Sequence, residues 1–252
     1  MFSTLLIGDW GEGKTTAAST APKPIVYLDF DNKLHKMVNL QELLKSGEII
    51  QWPVDTQLSM LGLRRLATEE NKHGKENVTQ QRPKGYLMFV DYMDTLEKTK
   101  CTLSDGRKIG TIVLDSYTSM LEHLKRLILA CNSKVNMTEP LYGTLLTNLE
   151  EVNNTILRLP CNSILIAHQK VTKNDLTGEI RYSPLIEGQM AGKIGKDFEE
   201  VYYMKKEVLQ GKATYTMNTI GDNMHACRTS RVLPAQVEPN FCKIYNLPER
   251  VN

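Results

Sequence analysis

The sequence of 252 residues lacks the features of secreted, membrane and disulfide-bonded proteins. Its five cysteines are odd in number and form no Cys-x-x-Cys pair, which argues against a disulfide framework or a zinc knuckle. No apolar run approaches the roughly 18 residues of a membrane span. The first residues, 1–8, lack the basic region of a signal peptide and predict a strand. We therefore expect a protein of the reducing cytoplasm with no membrane partner.

An excess of charge of one sign is also missing. Lys and Arg number 31 against 29 Asp and Glu, which gives a net charge of +2. Any contact with a nucleic acid must therefore come from local basic patches rather than from bulk charge. The chain length and a hydrophobic fraction of 41% fit one large domain or two small ones. Because the sequence shows no internal repeat and no low-complexity tail, we expect a single domain over residues 1–252. We expect an insertion at about 55–108, because residues 69–84 are polar and show no clear periodicity.

Short apolar, β-branched runs alternate with helical spacing along most of the chain. The runs predict strands at residues 2–7, 25–28, 49–52, 111–114 and 162–167. Helices are expected from residue 14, over 121–128 and over 145–157, with a loop at 131–142. Short strands and turns follow residue 168. The pattern predicts an α/β fold with a mainly parallel sheet flanked by helices and a β-rich C-terminal portion.

A glycine-rich turn after the first strand matches GxxxxGK[ST] in full. In this motif backbone N–H groups surround phosphate oxygens, the lysine contacts the β and γ phosphates, and the hydroxyl ligates Mg²⁺. The N-terminus of the following helix adds its dipole. The sequence therefore predicts ATP and Mg²⁺ as cofactors, with a nucleotide-binding set of Gly8, Asp9, Trp10, Gly11, Glu12, Gly13, Lys14, Thr15 and Thr16.

A P-loop also needs a carboxylate for the metal at the end of a buried strand. Asp115 ends the β-branched run from Thr111 and fits this role, with Thr15 as the second metal ligand. The alternative is that Asp115 is only the N-cap of the next helix, since Asp and Ser favour that position.

Hydrolysis requires a group that orients or deprotonates water. Asp31 is the candidate base and Asp29 the runner-up, because both leave the second strand beside the P-loop of a parallel sheet. Either carboxylate could instead simply be solvated at the strand end.

The P-loop, residues 28–31 (Leu-Asp-Phe-Asp), 112–116 (Ile-Val-Leu-Asp-Ser) and 164–169 (Ile-Leu-Ile-Ala-His-Gln) together resemble the RecA-like P-loop ATPase core. They are most similar to short phage ATP-binding proteins of single-strand annealing and recombination. The resemblance implies a phage protein acting in a bacterial host. It makes Asp31 the catalytic acid, although Glu is usual there, and Gln169, next to His168, the sensor of the γ-phosphate.

The resemblance also implies single-stranded DNA as a partner and two loops that contact it. Lys134 lies in the first loop, and Lys170, Lys173 and Arg181 lie in the second, where Tyr182 would stack on bases. A plain solvated β-hairpin with Thr177-Gly178 at its tip is the alternative for the second loop.

Arg228 and Arg231 resemble the basic stretch that RecA-like proteins offer to the nucleotide of a neighbouring subunit, which implies a homo-oligomer. The alternative is that they are two surface arginines near a strand.

The leading hypothesis is a Mg²⁺-dependent ATPase of DNA recombination or single-strand annealing, which would also meet single-strand-binding or replication proteins. The alternatives are a helicase loader or replication accessory factor that docks through residues 55–108, a nucleotide-binding module with little turnover, and a small-molecule kinase.

Overall fold

The computed structural model describes residues 1–54, 84–134, 136–175, 177–186 and 190–245. Residues 55–83 of the expected insertion lie outside the described residues. The strands are β1 (Ser3–Gly8), β2 (Ile25–Asp29), β3 (Ile49–Pro53), β4 (Thr111–Asp115), β5 (Asn162–Lys173), β6 (Ile180–Pro184), β7 (Glu200–Leu209), β8 (Lys212–Asn218) and β9 (Gln236–Val237). The helices are α1 (Lys14–Ala18), α2 (Gln41–Lys45), α3 (Lys84–Lys98), α4 (Tyr117–Cys131), α5 (Glu139–Arg158), α6 (Met190–Lys193) and α7 (Phe241–Ile244). Short 3₁₀ turns cover Leu34–Lys36, Val38–Leu40 and Ile194–Lys196.

The strands form one sheet in the order β3-β2-β4-β5-β1-β7-β8-β9, and β6 pairs with β5 outside that path. The strands from β3 to β7 in this order run parallel, whereas β6, β8 and β9 pair antiparallel. The expected parallel sheet and β-rich C-terminal portion are therefore confirmed. Because β5 separates β1 from β4, the P-loop and Asp115 follow strands that are two positions apart.

Helices cover both faces of the sheet because the central strands are apolar on both sides. Leu5, Leu28 and Leu114 face one cluster together with apolar residues of α3, α4 and α5. Leu6 and Val113, which alternate with them, face a second cluster that α1 and α7 close. The result is a three-layer α/β/α arrangement. Among the described residues, every helix is too short or too polar to cross a membrane.

The structure corrects one element of the sequence interpretation. A loop was expected over residues 131–142, but α5 begins at Glu139 and includes Pro140 and Gly143. Proline is well tolerated in a first helical turn, where its missing N–H has no intrahelical partner. Residues 86–96 belong to α3 and contribute Phe89 and Leu96 to the core.

Candidate functional site

The carboxyl ends of the parallel strands bring most of the expected site residues to one edge of the sheet. Gly8 at the end of β1 is level with His168 of β5, and Asp29 at the end of β2 is level with Asp115 of β4. Asp31 follows two residues after Asp29. This juxtaposition arises because the register of the parallel sheet aligns the ends of β1, β2 and β4 at one edge, past which β5 continues.

The P-loop runs from Gly8 into α1 and uses glycine where other residues would be strained. Gly11 and Gly13 have φ angles of 74° and 80°, in the left-handed region that favours glycine. The Lys14 ammonium donates hydrogen bonds to the carbonyls of Gly8 at 2.9 Å and Asp9 at 2.6 Å. Burial lowers the pKa of Lys14, and nearby carboxylates, Asp115 first, oppose that shift.

The side chains around the loop hold it in place. Glu12 Oε2 accepts a hydrogen bond from the Asp9 N–H at 2.5 Å, and burial raises the pKa of Glu12. Thr16 Oγ1 accepts a hydrogen bond from the Asn39 amide at 3.2 Å. Trp10 remains 83% exposed at the turn. Polar contacts within the loop and with Asn39 thus hold the loop, while Trp10 projects into solvent.

Thr15 and Asp115, the expected metal ligands, are in direct contact. Thr15 Oγ1 donates to Asp115 Oδ2 at 2.6 Å, although the residues are 100 positions apart in the chain. Burial raises the pKa of Asp115 to about 6, while the hydrogen bond from Thr15 lowers it. A hydroxyl and a carboxylate at this separation are hard oxygen donors that fit Mg²⁺. The N-cap of α4 is Ser116, which accepts a hydrogen bond from the Ser119 N–H, so Asp115 is free of the capping role.

Asp31 lies in a network of donors rather than in solvent. Ser119 Oγ donates to Asp31 Oδ1 in a short hydrogen bond, Ser116 Oγ lies 3.3 Å from the same oxygen, and Lys33 Nζ donates to Oδ2 at 2.7 Å. His168 Nε2 lies 3.8 Å from Oδ2, which is an electrostatic contact rather than a hydrogen bond. Burial alone would raise the pKa of Asp31, but His168, Lys33 and Ser119 hold that pKa well below its usual range.

Asp29, the runner-up for the base, is buried and shapes the chain after β2. Its carboxylate accepts hydrogen bonds from the Leu34 N–H at 2.9 Å and from the Gln51 side chain at 2.7 Å. The Lys33 N–H lies 3.4 Å from its other oxygen. Between the two acids, Asp29 therefore anchors the turn, and Asp31 is the one with partners at the mouth of the site.

Gln169 and the expected DNA-contact residues of the second loop lie on a hairpin that continues from β5. Gln169 pairs with Pro184, and Lys173 pairs with Ile180, so the region is an antiparallel ribbon. Lys170 and Lys173 are exposed, whereas Arg181 forms an ion pair with Glu179 at 2.9 Å. The Tyr182 ring stacks on His225 with centroids 4.5 Å apart, and this contact occupies one face that bases would need.

The remaining expected site residues lie away from this edge. Lys134 follows the far end of α4, a helix about 22 Å long that starts beside Asp115. Arg231 Nε lies 3.6 Å from Glu200 Oε1. The backbone of Arg228 forms an antiparallel β-bridge with Val201. Glu200 begins β7 level with Thr4, so both arginines occupy the edge of the sheet opposite the P-loop. Whether another subunit uses them stays a prediction.

Two further residues of the site, Tyr215 and Lys33, were not predicted from the sequence. Tyr215 of β8 packs over the P-loop, since a Cβ placed on Gly13 would lie 3.2 Å from its Cδ1. Lys33, the partner of Asp31, places a second ammonium at the same edge. No local motif marks Tyr215, because β8 returns to the P-loop only through the antiparallel pairing with β7. Lys33 could have been predicted as a site residue, because it lies only two positions after Asp31 in the sequence.

A parallel α/β sheet with a complete P-loop and a Thr–Asp pair at its carboxyl edge defines the class of P-loop nucleotide-binding domains. The family model described as AAA domain (AAA_24) matches residues 2–229, and the chain belongs to this family.

Solved structures with detectable similarity include two archaeal proteins. One is the flagellar accessory protein FlaH from Methanocaldococcus jannaschii, with a TM-score of 0.39 and 10% identity over 86% of this chain and 76% of that chain. The other is a KaiC-like protein from Pyrococcus horikoshii, with a TM-score of 0.42 and 12% identity over 86% of this chain and 77% of that chain. No curated protein is significantly similar to this chain in sequence.

Proposed function

We propose that this protein is a Mg²⁺-dependent ATPase that binds single-stranded DNA and acts in recombination or single-strand annealing. The observation that carries the ATPase half is the 2.6 Å contact between Thr15 Oγ1 and Asp115 Oδ2, next to the buried Lys14. A hydroxyl and a carboxylate from distant parts of the chain meet beside the P-loop, which supports a site for a nucleotide-bound metal.

Each residue of the site has a defined task in this proposal. The P-loop N–H groups and Lys14 bind the phosphates, and Thr15 and Asp115 hold the metal. When bound, Mg²⁺ would supply positive charge to the phosphate oxygens. Asp31 orients the attacking water and accepts its proton. Gln169 senses the γ-phosphate from the strand that leads from this edge into the hairpin.

The DNA half of the proposal is supported by the ribbon formed by β5 and β6. It projects from the edge that carries the P-loop, and Lys170 and Lys173 are exposed on it. Because Arg181 is paired with Glu179, the two lysines carry most of the unneutralised charge. Such a ribbon fits contact with a phosphodiester backbone, with an affinity that falls as salt rises.

The ATPase half is tested by measuring phosphate release with and without single-stranded DNA. We expect Mg²⁺-dependent release that DNA stimulates, and no release by Lys14→Ala. A wild-type protein that binds ATP but releases no phosphate would contradict the ATPase half.

The DNA half is tested with the double variant Lys170→Ala/Lys173→Ala in an oligonucleotide-binding titration with ATP and Mg²⁺ present. We expect weaker binding and a salt-dependence slope reduced by about 1.4, at roughly 0.7 for each lost phosphate contact. The matched control is Lys45→Ala/Lys98→Ala, which removes two exposed lysines from helix ends. Absence of any binding at low salt by the wild type would contradict the DNA half.

A nucleotide-binding module with little turnover is the second candidate. It is favoured by the state of Asp31, whose oxygens are held by Ser119 and Lys33 and whose pKa lies below its usual range, because a carboxylate so stabilised is a weak base. Binding of ATP without phosphate release, in both the presence and absence of DNA, would favour this module over the ATPase.

A further inference from the structure

Lys33 has an anchored backbone and a largely exposed side chain. After β2, Asn32 adopts a φ angle of 50°, and the N–H groups of Lys33 and Leu34 donate to the Asp29 carboxylate at 3.4 and 2.9 Å. The side chain of Lys33 is nevertheless 64% exposed. A long flexible chain on an anchored turn can exchange partners at little cost in structure.

The charge of the Lys33 ammonium interacts with several ionisable groups at the phosphate-binding edge. Its direct partner is Asp31 Oδ2 at 2.7 Å. Its charge also acts on Asp115, where it opposes the rise of the pKa that burial causes, and on Lys14, whose pKa burial lowers first and Lys33 lowers further. The site thus holds two ammonium groups, one buried in the P-loop and one exposed beside Asp31.

We propose that Lys33 exchanges the Asp31 carboxylate for the γ-phosphate of bound ATP and so acts as a catalytic cation supplied within the same chain. This inference rests on the proposed ATPase function and assigns it a residue. The driving force is charge, since a terminal phosphate carries more negative charge than one carboxylate. The exchange also releases Asp31 Oδ2 from its ion pair, so that this oxygen becomes available to the attacking water.

The hydrolysis step involves the attacking water, the γ-phosphate, Asp31 and Lys33. The water oxygen forms a bond to the γ-phosphorus while the bond from that phosphorus to the oxygen bridging to the β-phosphate breaks. The bridging oxygen leaves with the electron pair on ADP, and the water proton passes to Asp31. Lys33 balances the charge on the γ-phosphate oxygens during this transfer, which is the task that an arginine from a neighbouring subunit performs in other phosphoryl transfers.

The test compares Lys33→Ala with Lys36→Ala, which removes an exposed lysine at the end of the short 3₁₀ turn that Lys33 precedes. Two quantities are measured for each: kcat for phosphate release, and the ratio of the dissociation constants for ADP and the γ-thio analogue of ATP. We expect Lys33→Ala to lower kcat and to reduce the preference for the analogue, each by roughly 10- to 100-fold, as loss of one charge-assisted hydrogen bond predicts. We expect Lys36→Ala to match the wild type.

A second comparison distinguishes direct contact of Lys33 with the γ-phosphate from an effect that Lys33 exerts only through Asp31. Lys33→Ala is introduced into the Asp31→Asn variant, in which the ion pair is already absent. A direct contact predicts that the preference for the analogue still falls, whereas no further change would overturn the proposal. Lys33→Ala with wild-type kcat and wild-type preference would overturn it as well. If the wild type releases no phosphate but its preference for the analogue depends on Lys33, hydrolysis fails and the Lys33 contact stands.

Discussion

Asp31 and Asp115 follow neighbouring strands, yet their surroundings shift their pKa values in opposite directions. Asp115 is buried with one hydroxyl partner, and burial raises its pKa to about 6. Asp31 is also largely buried, but His168, Lys33 and Ser119 stabilise its charge and hold its pKa below the usual range. Asp115, the proposed metal ligand, therefore still takes up a proton near pH 6, whereas Asp31 stays ionised there.

Replacing Asp115 by Asn tests this difference through stability. Because the folded protein holds the Asp115 proton more tightly than the unfolded chain, ionisation of Asp115 opposes folding as the pH rises from about 4 through 6. Without Mg²⁺, Asp115→Asn should therefore stabilise the fold by about 2–3 kcal/mol at pH 8 and by much less at pH 4. Urea unfolding at the two pH values measures the gain in the free energy of unfolding. A gain that does not depend on pH would contradict the raised pKa of Asp115.

Replacing Ser119 by Ala tests the stabilised charge of Asp31. The variant removes the short hydrogen bond to Oδ1, so the pKa of Asp31 should rise toward its usual range. Since a depressed pKa stabilises the fold only above the unfolded value, the variant should lose about 1 kcal/mol at neutral pH, and this loss should vanish as the pH falls. Carboxyl NMR titration follows the pKa directly. An unchanged titration of Asp31 would show that Ser119 contributes nothing to it.

Among the elements, β4 depends on a glycine at its entry. A Cβ on Gly110 would lie 2.6 Å from the Pro22 carbonyl oxygen and 2.8 Å from that of Lys23, and the Gly110 N–H donates to the Pro24 carbonyl. Backbone atoms cannot move aside without disturbing the pairing of β2 with β4. The position of Asp115 at the end of β4 is therefore tied to close backbone contact at its start.

A matched pair of glycine substitutions tests this dependence. We expect Gly110→Ala to destabilise the protein by about 1–3 kcal/mol, as overpacking does. Gly143→Ala lies in α5 with open space around its Cβ and should stabilise by up to about 1 kcal/mol, since alanine favours helices. Denaturant midpoints compare the two variants. Equal effects of both would indicate that contact with residues 22–24 is unimportant.

Local sequence signals predicted the elements that depend on neighbouring residues. The P-loop and the strand that ends at Asp115 carry their patterns within a few residues, and the parallel order places them at one edge. The start of α5 was missed because Pro140 and Gly143 are turn residues in most contexts. Tyr215 was missed because its contact with Gly13 depends on how β8 folds back, which no short pattern encodes.

At the scale of the whole molecule, the site is assembled from parts that are remote in sequence. The Thr15–Asp115 contact joins residues 100 positions apart, and the core lies on both faces of the sheet that carries them. Nucleotide that binds this edge should therefore stabilise the entire fold rather than a local segment, because the edge exists only when the sheet is complete.

A thermal shift measurement tests this linkage. ATP with Mg²⁺ at a hundredfold excess over its dissociation constant should add about 2.7 kcal/mol to the free energy of unfolding of the wild type. Lys14→Ala should show little shift, and Lys36→Ala should shift like the wild type. A shift in Lys14→Ala equal to that of the wild type would mean that the nucleotide binds elsewhere.

The exposed Trp10 in the P-loop provides an intrinsic fluorescence signal for nucleotide binding. The chain has only two tryptophans, and the other, Trp52, contacts Tyr92 with ring centroids 4.7 Å apart on the far side of the sheet order. In a Trp52→Phe variant the emission would come from Trp10 alone. Nucleotide arrival should shift its wavelength and reduce quenching by dissolved iodide, so stopped-flow fluorescence would time binding at the loop without any attached dye.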